Sequence, residues 1–281
     1  MNKSVAVVRN GHRTFFKWHR GRRRAADPAF TARRILDGMA LGASVEVDLV
    51  VHADHGFAVL HDHLTIERET TGHGAARDHS AAELRALQLR ANDGAPIADH
   101  VMLLEDLCAL LKETPPHPDA MLQLDYKEGQ GPLDDATLAT FGRCVTPVAK
   151  NMILSSGEAD SVRLLTNAAP GVHIGYDPCH DDSLAQLERT GDFAGFVANA
   201  VAASPSAEMI YLAYQIVLSA ADWGFDIVDA FHQAGRRIDA YTINTADPAT
   251  LPIVKRLLDL KVDQITTDDA DGLAALLEES R

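Results

Sequence analysis

Two acidic side chains, Glu46 and Asp48, lie two positions apart in the segment Val-Glu-Val-Asp-Leu-Val-Val at residues 45–51. Side chains alternate between the faces of a β-strand, so these carboxylates share one face if the segment is a strand. Carboxylates on one face repel each other unless water surrounds them or a hard divalent cation lies between them. The pair alone is therefore compatible with a solvated strand face and with a metal site.

Short apolar segments carry polar residues at or near their ends at three further places in the chain. These are His19 and Arg20 after residues 15–18, His61 after residues 57–60, and Asp125 and Lys127 in residues 121–127. Imidazole exchanges protons near neutral pH, and carboxylate oxygens bind hard cations. Guanidinium and ammonium groups bind phosphate oxygens. A catalyst of phosphodiester hydrolysis must neutralise the phosphate charge, activate an attacking oxygen and protonate a leaving oxygen, and groups of these types can perform those tasks.

The order and spacing of these segments resemble the glycerophosphodiester phosphodiesterase family. The segments that carry the resemblance are His19-Arg20-Gly21, residues 42–48, Leu60-His61-Asp62, Thr70-Thr71-Gly72-His73-Gly74, Ala82-Glu83-Leu84, Asp125-Tyr126-Lys127, Tyr241-Thr242-Ile243-Asn244 and Ile265-Thr266-Thr267-Asp268. They span nearly the whole chain. The resemblance implies metal-dependent hydrolysis of glycerophosphodiesters to glycerol 3-phosphate and an alcohol. It also implies that a glycerol hydroxyl of the substrate attacks first and that water completes the reaction.

The resemblance also implies a role for each candidate residue. His19 and His61 would be general base and acid, Arg20 and Lys127 would bind the substrate phosphate, and Glu46, Asp48 and Asp125 would hold Ca²⁺ or Mg²⁺. Asn244 and Asp268 end late strands and are compatible with pocket lining and with capping.

Some residues depart from the family pattern. Asp125 stands where the family commonly has glutamate, and Asp27-Pro28-Ala29-Phe30 replaces a Pro-Glu-Asn-Thr segment. His63 stands where a proline is usual, and Tyr241 replaces a typical tryptophan. These differences bear on substrate preference more than on the class of reaction.

The elements that must position these residues alternate between strand and helix. We predict a hairpin of residues 4–9 and 13–17 around Asn10-Gly11, because that dipeptide favours a type I′ turn. A helix is predicted over Ala29–Leu41, capped by Asp27 and ended by Gly42. Strand Ser44–Val51 follows, and then the short strand Phe57–Leu60.

The remaining predicted elements continue this alternation. The strands are residues 121–127, 151–155, 172–176, 209–214, 238–243 and 262–267, and the helices are residues 80–87, 101–112, 133–149, 158–166, pieces of 182–203, 222–234, 248–260 and 270–279. Eight strand–helix units predict an α/β fold, a single (β/α)₈ TIM barrel. We expect one domain over residues 1–281, with residues 62–100 as a cap insertion after strand two.

Composition limits the function classes. The 281-residue chain is 46% hydrophobic with a formal net charge of −14, which disfavours nucleic acid and anionic membranes as partners. No apolar run approaches the roughly 20 residues of a membrane span, and no signal peptide is evident. Three widely spaced cysteines are typical of a reducing compartment, so we expect a cytoplasmic protein. The family resemblance implies a small-molecule glycerophosphodiester as the substrate.

The basic cluster Arg22–Arg24 is compatible with phosphate binding beside His19 and with a solvated loop paired to nearby acids. Two other functions also fit parts of the sequence. A zinc amidohydrolase would use His61-Asp62-His63 with Lys127, His173 and Asp268, although that class carries its His-x-His on the first strand. A barrel that binds a phosphate-bearing ligand without turnover would tolerate the changed Asp125.

Overall fold

A closed ring of parallel strands forms the centre of the molecule. The computed structural model describes residues 4–180 and 182–280. The strands are β1 (Ala6–Arg9), β2 (His12–Trp18), β3 (Ser44–Val51), β4 (Phe57–Ala58), β5 (Gln88–Arg90), β6 (Pro96–His100), β7 (Met121–Tyr126), β8 (Met152–Ser155), β9 (His173–Tyr176), β10 (Met209–Ala213), β11 (Arg237–Ile243) and β12 (Gln264–Thr267).

Eight of these strands, counted over the described residues, close into a barrel. The order around the barrel is β2-β3-β7-β8-β9-β10-β11-β12, and β12 pairs in parallel with β2. Helices connect successive strands, so the predicted (β/α)₈ TIM barrel is confirmed. The predicted span of 1–281 also includes residues 1–3, 181 and 281, which lie outside the described residues. The first three residues of the N-terminal stretch searched for a signal peptide lie outside them too.

The helices surround the barrel and bury their apolar faces against it. They are α1 (Ala32–Leu41), α2 (Ala81–Ala86), α3 (Leu104–Glu113), α4 (Asp135–Val145), α5 (Ala159–Ala168), α6 (Ser183–Thr190), α7 (Phe193–Ala203), α8 (Tyr214–Asp222), α9 (Ile227–Gln233), α10 (Leu251–Asp259) and α11 (Ala270–Glu279). In the part of the chain that the structure describes, no helix is long and apolar enough to cross a bilayer.

Additions to the barrel lie at both ends of the early strands. The antiparallel pair β1–β2 is the predicted N-terminal hairpin, and β4 pairs antiparallel with β3. Residues 62–100 leave the barrel and carry α2 and the antiparallel hairpin β5–β6. The sequence analysis found α2 there but missed the hairpin, because its short strands lack a clear alternation of apolar and polar residues.

Two predicted helices differ from the structure. Helix α1 begins at Ala32 after Thr31, not after Asp27, because Phe30 has a left-handed φ of 61° that no helix tolerates. The predicted helix 222–234 corresponds to α9, which begins only at Ile227, because the chain turns at Gly224 with a φ of 78°. Helix α8 was not predicted, and its first residue, Tyr214, was assigned to the preceding strand.

A buried ion pair links two non-adjacent strands, β2 and β11, across the barrel interior. Lys17 on β2 lies 3.0 Å from Asp239 on β11, and their side chains are 2% and 0% exposed. Asp239 also accepts a hydrogen bond of 2.6 Å from Thr266 on β12. Lys17 donates to Gln123 on β7, so one ammonium group links several strands. Such a pair is costly to break, because the remaining charge stays buried without its partner.

We expect Lys17→Met to lower the free energy of unfolding by about 3–5 kcal/mol, because Asp239 is then left buried and uncompensated. The double variant Lys17→Met/Asp239→Leu removes both charges and should recover much of that loss. Urea denaturation of the two variants and the wild type measures the difference. A decrease of less than about 1 kcal/mol in the free energy of unfolding of Lys17→Met would show that the ion pair does not stabilise the fold.

Candidate active site

The predicted acidic ligands come from neighbouring strands at the same level of the barrel. In the parallel pairing of β3 with β7, Asp48 lies opposite Asp125. Val45 on β3 packs towards α1, so the alternation turns Glu46 and Asp48 towards the barrel interior. One carboxylate oxygen from each of Glu46, Asp48 and Asp125 lies within 4.8 Å of the other two.

Two cations lie directly against these carboxylates. The Nε atom of Arg20 is 3.2 Å from Asp48 Oδ2, and the backbone N–H of Arg20 donates to Glu46 Oε2 at 2.7 Å. Arg20 has a φ of 54°, and this left-handed turn after β2 directs its amide towards Glu46. Lys127 Nζ lies 2.8 Å from Asp48 Oδ1 and also pairs with Asp125.

Burial and neighbouring charges shift the pKa values of Glu46, Asp48 and Lys127 in different directions. Burial, followed by the charge of Asp48, raises the pKa of Glu46 well above its ordinary value. Burial also opposes ionisation of Asp48, but the nearby charges of Lys127 and Arg20 outweigh it and lower the pKa of Asp48. Burial would lower the pKa of Lys127, yet Asp125 and Asp48 raise it well above the ordinary value. Two cations therefore face three acids.

Each of the two candidate histidines is paired with a carboxylate. His19 Nδ1 is 2.7 Å from Asp268 Oδ1, and His61 Nδ1 is 2.8 Å from Asp62 Oδ1. A carboxylate can only accept, so each Nδ1 donates and the other ring nitrogen, Nε2, is the one that exchanges protons. Burial lowers the pKa of His19 despite the contact with Asp268.

One cavity of about 350 Å³ brings most of the predicted residues together. Its walls include His19, Arg20, Glu46, His61, Asp125 and Lys127. Asp48 lies beneath Arg20 and Lys127 and is 1% exposed. Asn244 also lines the cavity, and Asp268 orients His19 from its edge. The structure therefore gathers all seven predicted residues around one opening at the C-terminal ends of the strands.

The arginine cluster divides into two parts. Arg22 donates to Asp268 at 2.8 Å, so it contacts the same carboxylate as His19. Arg23 and Arg24 both pair with Asp271 on α11. Arg22 therefore belongs to the surroundings of the site, whereas Arg23 and Arg24 are paired with a nearby acid.

Glu69 was not predicted as a site residue, yet its carboxylate holds the loop that carries His61. Glu69 Oε2 accepts from the backbone N–H groups of His61 and Asp62 at 3.0 and 2.9 Å. Its other oxygen, Oε1, lies 3.8 Å from Arg20. No local pattern marks this residue, because its role depends on how residues 62–100 fold back over the barrel.

A second missed residue is Asp177, which lines the same cavity as Glu46 and Asp125. Asp177 Oδ2 accepts from the Tyr241 hydroxyl at 2.8 Å, and Oδ1 accepts from the backbone N–H of Cys179. Burial raises the pKa of Asp177 to about 6. Its position directly after a predicted strand was an available signal, since barrel sites are built from such positions.

Comparison with known proteins identifies the family. The model of the glycerophosphoryl diester phosphodiesterase family matches residues 19–272, so the chain belongs to this family. A comparison with curated proteins finds no significant match.

Solved structures of low sequence identity share the fold. A glycerophosphodiester phosphodiesterase of Agrobacterium tumefaciens aligns with a TM-score of 0.64 at 19% identity, covering 94% of this chain and 99% of that one. One of Thermotoga maritima gives 0.63 at 21%, covering 96% and 99%. A phosphodiesterase of Oleispira antarctica, in complex with the product sn-glycerol-3-phosphate, gives 0.65 at 17%, covering 94% and 96%.

The pKa of Asp177 predicts a pH dependence of stability. The folded protein holds this proton up to about pH 6, whereas the unfolded chain releases it near the usual value of 3.8. The contribution of Asp177 is therefore greatest below pH 4 and is lost as the pH rises through about 6. The unfolded carboxyl is already more than half ionised at pH 4. At about 1.4 kcal/mol per pKa unit, wild type should therefore lose about 2.4 kcal/mol relative to Asp177→Asn between pH 4 and pH 7.

Urea denaturation in the presence of chelator measures this difference without a contribution from bound cations. Asp160→Asn is the matched control, because the Asp160 side chain is 60% exposed on α5. If wild type, Asp177→Asn and Asp160→Asn changed in parallel between the two pH values, Asp177 would not be a protonated buried acid.

Proposed function

We propose that this chain hydrolyses glycerophosphodiesters to glycerol 3-phosphate and an alcohol with the help of a divalent cation. The observation that carries the proposal is the convergence of Glu46, Asp48 and Asp125 with His19 and His61 at one cavity. Membership in the glycerophosphoryl diester phosphodiesterase family supports the substrate class. The product complex of the Oleispira antarctica relative adds support, because glycerol 3-phosphate is the product proposed here.

The acidic residues suit a hard cation. Glu46, Asp48 and Asp125 offer oxygen ligands at mutual distances a single ion can bridge, and Ca²⁺ and Mg²⁺ prefer such ligands. Three carboxylates against Lys127 and Arg20 also carry excess negative charge when all are ionised. A bound cation supplies Lewis-acid polarisation of the phosphoryl group. The raised pKa of Glu46 fits this proposal, since a nearby divalent charge would favour its ionised form.

The remaining charged residues would act on the phosphodiester. Arg20 and Lys127 reach the cavity and would neutralise phosphate oxygens, which otherwise repel a nucleophile. His19 is suited to accept a proton from the attacking glycerol hydroxyl, because its lowered pKa keeps the ring neutral. His61, held by Asp62 and more exposed than His19, would donate a proton to the leaving oxygen.

The shorter side chain of Asp125 is compatible with this assignment. Ser155 donates to Asp125 Oδ1 at 2.6 Å, and Lys127 pairs with Oδ2. These contacts fix the carboxylate in a position that the backbone pairing with Asp48 already brings close. We therefore propose that Asp125 fills the role of the glutamate usual in the family.

The geometry favours this function over the two alternatives. A zinc amidohydrolase would need His173 in the site, but His173 begins β9 at the N-terminal end of the barrel and contacts Glu208. The third candidate, a barrel that binds a phosphate compound without turnover, shares the phosphate-binding cations. It does not account for two cavity-lining imidazoles that are each oriented by a carboxylate.

We further propose a single-domain enzyme in which residues 62–100 cap the cavity. Glu69 and Arg68 in this segment contact His61, Asp62 and Arg20 at the site. A cytoplasmic location is proposed because the three cysteines are free in the described structure. A small-molecule substrate fits a cavity of about 350 Å³.

The primary test is release of glycerol 3-phosphate from glycerophosphocholine and glycerophosphoinositol with Ca²⁺ or Mg²⁺ and then with chelator. We expect His19→Ala and His61→Ala to lower kcat/KM by about 10²–10⁴-fold, because proton transfer to or from a reacting oxygen is lost. His173→Ala is the matched control and should retain the wild-type rate. Circular dichroism checks that each variant folds. Near-full activity of His61→Ala would refute the acid–base assignment, and binding without release would support the non-catalytic alternative.

Metal dependence is tested separately by binding. At a Ca²⁺ or Mg²⁺ concentration of about 100 times the Kd, the folded protein should gain about 2.7 kcal/mol of stability, visible as a higher Tm. Glu46→Ala and Asp125→Asn should abolish this gain together with activity, whereas the exposed control Asp160→Asn should keep both. A Tm that responds to neither cation, or the same response in Glu46→Ala, would exclude a metal site at these residues.

A further inference from the structure

A second cavity, of about 230 Å³, lies beside the catalytic one. It is bounded by the turn after β2, by Phe30, and by the hairpin β5–β6 with the chain that precedes it. Arg20 lines both cavities, so they meet at this side chain. Arg68 lines the smaller cavity and also the outer cleft that contains His61 and Lys127. We call this smaller cavity the arginine pocket.

The arginine pocket is lined by more positive than negative side chains. Its charged residues are Arg20, Arg22, Arg68, Arg90 and Glu69. This excess is notable in a chain whose formal net charge is −14. A local positive site in an acidic protein indicates selection for an anionic group at that point.

The positive charge of the pocket is only partly compensated. Arg20, Arg22 and Arg68 have ion-pair partners outside the pocket, which are Asp48, Asp268 and Asp62. Arg20 also lies 3.8 Å from Glu69, the one acid among the lining residues. Arg90 differs, because it donates to the carbonyl oxygens of Glu67, Thr70 and Gly94. Within residues 4–180 and 182–280, no carboxylate forms an ion pair with Arg90. The main-chain contacts fix its guanidinium at the pocket without neutralising it.

The size of the pocket limits what it can hold. Sites for whole ligands usually measure about 300–1,000 Å³, so about 230 Å³ suits one substituent of a larger molecule. Apolar walls formed by Phe30, Leu89 and Ala91 exclude water from part of it. Guanidinium groups bind phosphate and carboxylate through paired donors, and partial desolvation strengthens those contacts. These features suit a single anionic group that belongs to a larger molecule.

We propose that the arginine pocket binds a second anionic group, a phosphate or a carboxylate, on the alcohol that leaves from the diester. This inference rests on the proposed function and narrows it to substrates whose alcohol portion is itself negatively charged. The cation-bearing alcohol of glycerophosphocholine would meet like charge in the pocket. Substrates of that kind should be hydrolysed less efficiently than anionic ones.

The test compares glycerophosphoinositol 4-phosphate with glycerophosphoinositol, which differ by one phosphate on the leaving alcohol. We expect kcat/KM for the phosphorylated diester to be higher by about tenfold or more, the effect of one charge-assisted contact. In Arg90→Gln the ratio of the two kcat/KM values should fall towards one. Ala91→Glu, which adds a carboxylate to the pocket wall and keeps the contacts of Arg90, should lower the ratio in the same way.

Arg163→Gln is the matched control, since Arg163 is a 61% exposed arginine on α5 remote from the pocket, and it should keep the wild-type ratio. If the wild type hydrolyses both diesters with a kcat/KM ratio of one or less, the proposal that the arginine pocket binds an anionic group is wrong. The proposed function is then unaffected. A ratio that persists in both Arg90→Gln and Ala91→Glu overturns the arginine-pocket proposal as well.

If neither diester is hydrolysed, the proposed function fails. The binding of an anionic group in the arginine pocket is then tested separately, by calorimetric measurement of inositol 4-phosphate binding. A Kd that weakens about tenfold in Ala91→Glu supports the pocket, and absence of binding to the wild type overturns it.

Discussion

The structure depends on one electrostatic constraint, the burial of negative charge at the mouth of the barrel. Glu46 and Asp48 are 4% and 1% exposed, and desolvated carboxylates are stable only when cations or hydrogen-bond donors compensate them. Lys127 from the next strand and Arg20 from the preceding turn supply that compensation. The left-handed conformation of Arg20 follows from the same requirement, because it brings the backbone N–H onto Glu46.

The residues around this centre form a continuous chain of paired charges. Asp268 holds His19, Asp62 holds His61, and Glu69 fixes the backbone of the loop that carries His61. Because Glu69 belongs to residues 62–100, the inserted segment and the barrel share one electrostatic network. If His61 is the proposed general acid, a change in that segment should affect proton transfer at His61 as well as access to the cavity, and the two effects are separable by comparing kcat with KM.

Strands and residues marked by a local sequence pattern could be predicted, whereas contacts formed where distant segments meet could not. Strand β3 was predicted with its observed bounds, because an acidic alternation within an apolar segment is a strong strand signal. Six of the seven predicted site residues line one cavity and Asp48 pairs with two of them, Arg20 and Lys127, since barrel topology brings strand ends together. Glu69 could not be predicted, because its role depends on how residues 62–100 return to the barrel. Asp177 follows a predicted strand directly and was overlooked because none of the segments that carried the resemblance includes it.

Net charge and local charge act at different distances in this molecule. A formal charge of −14 repels an anionic diester far from the surface, but salt screens that repulsion beyond about 8–10 Å. Within this distance, the local charges of Arg20, Lys127 and the pocket arginines outweigh the average charge of the protein, and these are the groups proposed to bind the diester. Selectivity for a phosphodiester must therefore come from contacts made after encounter, and we infer that it appears in dissociation rather than in the rate of association.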